Sequence, residues 1–492
     1  MADRAGRAMA STSTSPLESF FHLNERATTV RREVWAGLTT FMVMAYIIFV
    51  NPAILSFAGI PGLEGAGVPF NQALVATCLS AGLMTLLMGL FANRPFALAP
   101  GMGLNAVVAF QLILGAGLTW QEAMGVVVLE GLLVTVLVLV GLREAVMYAI
   151  PTALKHAIGA GIGFFILFIG LVNGGLVRVP VETVPIAESA AIGQPPTPLA
   201  IGALNNLPVF VTVIGLAITM LLYARRWRFA LLAGIVITTV LAILLNEATG
   251  RTAAFAPGTA MLPSAIVGTP DFAALALPGL TGIPGIFLKL SVLTALLTIF
   301  SLMLTDFFDT MGTIIGVSEQ MGDVGPNGEV ENLRPMLMVD SAAAMVGGAL
   351  GASSVTTYIE SAGGVAVGGR TGLTSVVVAI LFFLAMLFAP VAGVIPAQAT
   401  APALIIVGFL MASSLREIDW SDFAVGFPAL LTVLLMPLTY SITHGIGFGF
   451  ISYVLIKLFQ GRSREVHWLM WASAFAFLLF FILPWLQQAM RS

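Results

Sequence analysis

The sequence predicts an all-α polytopic membrane protein, with fourteen transmembrane segments forming two inverted repeats of seven (7+7). Three observations carry that expectation. Of 492 residues, 58% are apolar and only 9% charged, against roughly 25% charged in an ordinary soluble domain; the mean hydropathy is +1.01. Apolar runs of about 20 residues, the length that crosses a bilayer, recur along the whole chain. Two of these runs are interrupted at corresponding places, 96–110 (FALAPGMGLNAVVAF) by a Pro-Gly break and 351–370 (GASSVTTYIESAGGVAVGGR) by small residues and glycine pairs. Paired interruptions of this kind are the best sequence pointer to a transporter site.

The first 32 residues are polar and carry Arg4, Arg7, Arg26, Arg31 and Arg32. No apolar core precedes residue 34, so no cleaved signal peptide is expected. The arginines favour a cytoplasmic N-terminus and a multi-pass protein of the cytoplasmic membrane. Spans then read at 34–57, 71–91, 96–116, 121–141, 147–172, 208–223 and 229–245. The second set reads at 285–317, 335–350, 351–370, 371–390, 399–415, 423–438 and 445–459. Counted from inside, Arg94, Arg143 with Lys155, the cluster Arg225/Arg226/Arg228, Arg370, Arg416 and Lys457/Arg462/Arg464 all fall on the cytoplasmic side. The loops 174–206 and 246–284 fall outside. The apolar stretch 467–485 does not fit this parity, and reads equally as an extra span or an interfacial helix.

Spans three and ten are expected to be a short strand followed by a half-helix. The run Ser353-Ser354-Val355-Thr356-Thr357-Tyr358 is small and β-branched, and Glu360 follows it at the break. Irregular backbone at membrane depth is tolerated only where it is buried or lines a cavity, and an acid there is a functional-site hypothesis. Gly101, Gly103 and Gly363 allow the backbone break and close approach. In the first half Asn105 answers Glu360, and Thr40 in GLTTFMVMAY answers Asp306 in MLTDFFDTMG.

An ionised Glu360 can accept N–H bonds from a flat heterocycle, and Asn105 offers both a donor and an acceptor. Asp306 and Asp309, at i and i+3, share a helix face and are expected to titrate as a coupled unit. That suits a proton carrier. Phe307, Phe308 and Tyr358 are candidate stacking aromatics, and Asp340 reads equally as a helix cap or a functional acid. No lysine follows the glycines, so they form no phosphate loop. The four histidines lie far apart and Cys78 is the only cysteine, so neither a metal site nor a disulfide is expected. No Ser-His-Asp or Cys-His set points to an enzyme. Nothing basic and aromatic-interleaved points to nucleic acid.

The blocks ALAPGMGLNA, DFFDTMGTIIGVSEQ and VTTYIESAGGVAVGGRTGLT resemble the AzgA-like branch of the nucleobase:cation symporter-2 family, the adenine, guanine and hypoxanthine permeases. The resemblance runs from about residue 20 to 459. It implies proton-coupled uptake of purine nucleobases, often by a homodimer, with the proton as coupling ion and no other cofactor. It also implies a core domain (33–143 and 285–392) and a gate domain (144–250 and 393–460). The remainder is a tail (1–32), an extracytoplasmic loop (251–284) and a terminal segment (461–492). Substrate binding would fall to Glu360, Asp306, Asn105 and Tyr358, and proton coupling to Asp306, Asp309 and Glu360. Gly351-Ala352-Ser353-Ser354 stands where the family has a Thr-rich run, and Val107 and Val108 stand where aromatics are common. The rivals are a carrier of the same fold for uracil, xanthine or a small anion, and an intramembrane aspartyl enzyme or a channel.

Overall fold

In the computed structural model, residues 16–58, 62–63, 65–141, 149–178, 199–250, 255–256, 258–324 and 330–489 are described, without the side chains of 274, 308 and 483–489. Among them, ten helices are long and apolar enough to cross a bilayer. The first half contains α1 (Val30–Leu55), α2 (Phe70–Ala92), α3 (Met102–Gly115), α4 (Trp120–Leu139), α5 (Thr152–Asn173), α6 (Leu207–Ala224) and α7 (Ala230–Ala248). Its two-residue strands β2 (Val177–Arg178) and β3 (Ala200–Ile201) pair at the base of the loop after α5; residues 179–198 of that loop lie outside the described ones. The second half begins with α8 (Pro278–Lys289), α9 (Val292–Met321), α10 (Leu333–Leu350) and α11 (Ser361–Ala366). Then follow α12 (Gly372–Ala392), α13 (Ala397–Glu417), α14 (Phe423–Leu438), α15 (Ile442–Phe459) and α16 (Trp468–Ala489).

Both interrupted segments take the expected form of a strand followed by a short helix. Strand β1 (Leu98–Pro100) precedes α3, and strand β4 (Val355–Thr357) precedes α11. The two strands pair antiparallel, Leu98 opposite Thr357 and Pro100 opposite Val355. Backbone bonds from Gly101 N to Ser354 O and from Tyr358 N to Ala97 O, each 2.9 Å, extend the pairing. Side chains satisfy what the strands leave over. Thr85 of α2 accepts from Leu98 N and donates to Leu98 O, and Asn51 of α1 donates to Ala352 O at 3.0 Å. Backbone stripped of helical bonds inside a membrane protein must be paired in this way.

The segment read as one span at 285–317 is two helices. Pro284 removes a backbone donor within α8, Leu290 is extended (φ −106°, ψ 142°), and Ser291 caps a new helix by accepting from Thr294 N at 3.1 Å. Helix α8 therefore begins inside the stretch expected to be loop. It lies along the start of α4, where an added Cβ at Gly125 would come within 3.0 Å of Gly279 O, and Lys289 pairs with Glu122 at 2.7 Å.

Helices α1, α2 and α4 pack against α10, α11 and α12, whereas α5, α6 and α7 pack with α13 and α14. Close approach needs glycine: a Cβ at Gly163 of α5 would meet Gly408 O of α13 at 2.7 Å. The terminal helix α16 runs antiparallel to α15. Phe481 sits beside His444 and Phe448, and Phe477 lies edge-on to Phe450. Met470 and Ala474 are buried.

At one end of the molecule, Arg26 and Arg94 pair with Asp323 and Glu331. The buried Glu33 of α1 accepts from Arg370 N (2.9 Å), Thr371 N (3.2 Å) and the hydroxyls of Thr374 and Thr28. Its carboxylate thus satisfies free amides at the start of α12, where helix polarity favours negative charge.

Candidate functional site

The paired strands place two helix starts side by side, and the candidate residues lie on or next to them. Asn105 is the fourth residue of α3 and is fully buried. Neither its Nδ2 nor its Oδ1 has a hydrogen-bond partner among the described residues. It therefore caps nothing. An unpartnered buried carboxamide costs about 1–3 kcal/mol, a cost that a ligand with matching donor and acceptor removes.

Glu360 stands at the start of α11, half-buried, and makes no capping bond to that helix. Its Oε1 instead accepts from the Tyr46 hydroxyl at 2.5 Å. Tyr46 is completely buried at the bend of α1. The hydroxyl occupies one carboxylate lone pair and fixes the orientation of the others. Tyr358, expected to meet a ligand, donates its hydroxyl to Pro100 O at 2.5 Å. It thereby ties the end of β4 to the end of β1.

The two aspartates of α9 occupy different surroundings although they are one turn apart. Asp306 is fully buried, with Oδ1 3.5 Å from the Ser354 hydroxyl. Asp309 is half-buried, with the acids Asp340 and Glu360 among its charged neighbours. The two acids, expected to titrate as a coupled unit, stand about 60° apart around the helix.

Asp340 lies in the middle of α10, not at its start, so it is no helix cap. It accepts from Thr357 N (3.0 Å), Thr357 Oγ1 (2.9 Å) and Thr310 Oγ1 (2.8 Å), with Thr356 Oγ1 at 3.5 Å. Its carboxylate pins strand β4 to α9 and α10.

Gly101 stands at the first break, extended at φ −68° and ψ 124°. Gly103 and Gly363 lie inside the helices that follow and serve packing. An added Cβ at Gly103 would meet Ile162 of α5 at 2.7 Å, and one at Gly363 would stand 3.3 Å from Val43. The tighter neighbour is Gly364, whose Cβ would strike Thr40 Oγ1 and come within 2.8 Å of Ala36 O. Phe307 is buried, and the Phe308 side chain lies outside the described residues.

Sequence reasoning did not single out three residues that lie beside these. Tyr46 reads as ordinary apolar packing, and nothing in its neighbours marks it. Ser354 is one serine in a small-residue run. Glu130, fully buried at the centre of α4, carried the clearest overlooked signal: a single acid in VVVLEGLLVTVLVL. Aromatic rings from several elements meet around Tyr440, with Phe110, Phe165 and Phe168 at 5.2, 5.7 and 5.4 Å between ring centres.

The sequence matches the permease family (Xan_ur_permease) over residues 31–448. It is 40% identical to the putative permease MJ0326 of Methanocaldococcus jannaschii, covering 95% of this chain and 98% of that protein. It is also 40% identical to the adenine permease AdeP of Escherichia coli, with 92% of each chain covered. The guanine/hypoxanthine permease PbuG of Bacillus subtilis is 37% identical, over 95% of this chain and 99% of that one. Among solved structures, the transmembrane domain of a cyanobacterium bicarbonate transporter, BicA, superposes with a TM-score of 0.60 at 16% identity, covering 85% of this chain and 97% of that one. At that identity the likeness is one of fold.

Proposed function

The chain belongs to this permease family, and from that premise we propose that it imports purine nucleobases (adenine, guanine or hypoxanthine) across the cytoplasmic membrane by proton symport. The observation that carries the reading is the Asn105 carboxamide, buried and unpartnered, on the helix joined through paired strands to the one that Glu360 opens. A purine edge alternates N–H donors with ring-nitrogen or carbonyl acceptors. A carboxamide matches such an edge with two bonds, and a carboxylate accepts its N–H. Substrate names among the relatives point to the same chemistry.

In this reading Glu360 takes the N–H edge in the orientation Tyr46 sets, Asn105 takes a second edge, and Asp306 supports the base from α9. Asp309 lies within electrostatic reach of both Glu360 and Asp340. A proton held at Asp309 removes repulsion beside Glu360 and lets that carboxylate stay ionised for the base. Release of the proton and the base on the far side restores the repulsion. The halves form inverted repeats of seven segments, with α1–α4 and α9–α12 as core and α5–α7 and α13–α15 as gate. Alternating access is movement of one against the other.

Uptake of labelled adenine, guanine and hypoxanthine into a bacterium lacking its own purine carriers tests the proposal. Saturable uptake abolished by a protonophore and by Glu360→Ala is expected. Uptake indifferent to both would refute it.

A further inference from the structure

The sites above leave one membrane-buried acid unused. Glu130 lies at the middle of α4, with no exposed surface. An acid at that depth is costly to place and marks proton or ion pathways more often than packing. Its Oε2 is 3.4 Å from the Ser354 hydroxyl, and the same hydroxyl is 3.5 Å from Asp306 Oδ1. One Ser354 oxygen therefore joins an acid of α4 to an acid of α9, both fully buried.

The place of Ser354 gives this bridge its meaning. It enters β4 directly after Ser353, which is held at φ +79°, a left-handed conformation that a non-glycine residue adopts only under strain. Its own carbonyl accepts from Gly101 N, at the break before the helix that carries Asn105. The unpartnered Asn105 amide points independently to a ligand on that helix. The bridge thus touches the backbone leading into the helix of Asn105 and shares Asp306 with the substrate residues, while taking up neither the Asn105 nor the Glu360 side chain.

Several other charged groups lie on the helices packed against α4, Asp309 of α9 among them. Lys289 of α8 is paired with Glu122 near the start of α4. Asp340 of α10 is held by Thr310 and Thr357. Asp306 of α9 is the acid that Ser354 links to Glu130.

We propose that Glu130 is a proton-relay residue, exchanging a proton with Asp306 through the Ser354 hydroxyl, and that it couples transport to the proton gradient without touching substrate. The inference rests on the proton-symport reading. The step balances: the Asp306 carboxyl gives its proton to the Ser354 oxygen, and Ser354 passes its own hydrogen to the Glu130 carboxylate. Asp306 ends ionised, Glu130 protonated and Ser354 a hydroxyl as before, with its O–H turned round. The reverse transfer restores the start. Glu130 acts through Asp306, so it is a positioning residue in the coupling path.

The test separates accumulation from exchange in proteoliposomes holding the full chain. One proton driven by 100 mV supplies about 2.3 kcal/mol, enough for roughly 50-fold accumulation. Glu130→Gln is expected to bring accumulation of labelled hypoxanthine or adenine close to unity. Counterflow exchange should continue with KM within about twofold of wild type. Ser354→Ala should share this split, and Glu130→Asp should recover part of the accumulation. Glu130→Gln accumulating like wild type would overturn the inference alone, as would a folded Ser354→Ala that loses exchange and accumulation together. Wild-type uptake untouched by a protonophore would overturn the symport reading and this one with it. Should Glu130→Gln fail to fold, Ser354→Ala and Glu130→Asp decide by the same readout.

Discussion

Asn105 and Asp340 are both polar, fully buried and deep in the bundle, yet the structure treats them oppositely. Asp340 is saturated by donors from α9 and β4, whereas the Asn105 amide has none. Asn105→Ala is therefore expected to weaken purine binding about 10- to 100-fold while leaving thermal stability unchanged or slightly raised. Asp340→Asn removes the charge from several short bonds and should cost about 2 kcal/mol of stability, with binding falling only as a consequence. Thermal unfolding in detergent, with and without hypoxanthine, distinguishes the two. Reversal of that order would reassign the amide to the scaffold. Asn105, Asp306, Asp309 and Glu360 were visible in the sequence because polar groups in apolar runs stand out. Their partners were not. Tyr46 and Ser354 come from stretches remote in the chain, and side chains that meet only through tertiary folding leave no local signal.

Among the elements, both strand breaks were legible because β-branched residues end in Gly-rich turns within otherwise helical runs. The division of α8 from α9 was not. Pro284 lies in a continuous apolar stretch, and what stops the helix at Leu290 is the docking of α8 on α4 and the Ser291 cap. Similarly, glycine pairs announced close approach without saying which member makes it. Gly364 meets α1 backbone and Thr40, whereas Gly363 faces the movable end of Val43. Gly364→Ala should thus cost about 1–3 kcal/mol by overpacking and displace the half-helix, with uptake falling accordingly. Gly363→Ala should stay near wild type in both. Equal behaviour of the two variants would show that α11 does not lean on α1 as described.

At the scale of the molecule, the ion cluster of Arg26, Arg94, Asp323 and Glu331 draws the N-terminal segment, the turn after α2 and the connection after α9 to one end. These are the positions that the basic-residue count put inside. The Arg26 guanidinium, assisted by Arg94, holds the Glu331 carboxyl below the usual range although partial burial opposes it. A carboxyl lowered by folding stabilises above its unfolded value and loses that contribution as pH falls through the folded one. The stability difference between wild type and Arg26→Ala should accordingly be constant from neutral pH down to about 5 and shrink below about 4. A difference that instead grows with acid would exclude the pairing.

The ambiguous stretch at 467–485 is helix α16, and its antiparallel run along α15 carries the chain back towards the opposite end. A cysteine placed at Gln487 should react with an impermeant maleimide from outside, and one at Arg462 only after permeabilisation. The native Cys78 is buried, so background labelling should be low. Labelling of both from the same side would make α16 a surface helix.

The backbone bonds between β1 and β4 have a consequence for how cargo is handed over. Two grips sewn together by main-chain atoms cannot open one after the other, so under the proposed alternating access a base would be carried past the barrier in an unchanged grasp. Its intrinsic affinity should then be the same measured from either face at matched protonation, and in the proposed symport the ion gradient alone would set the direction of travel.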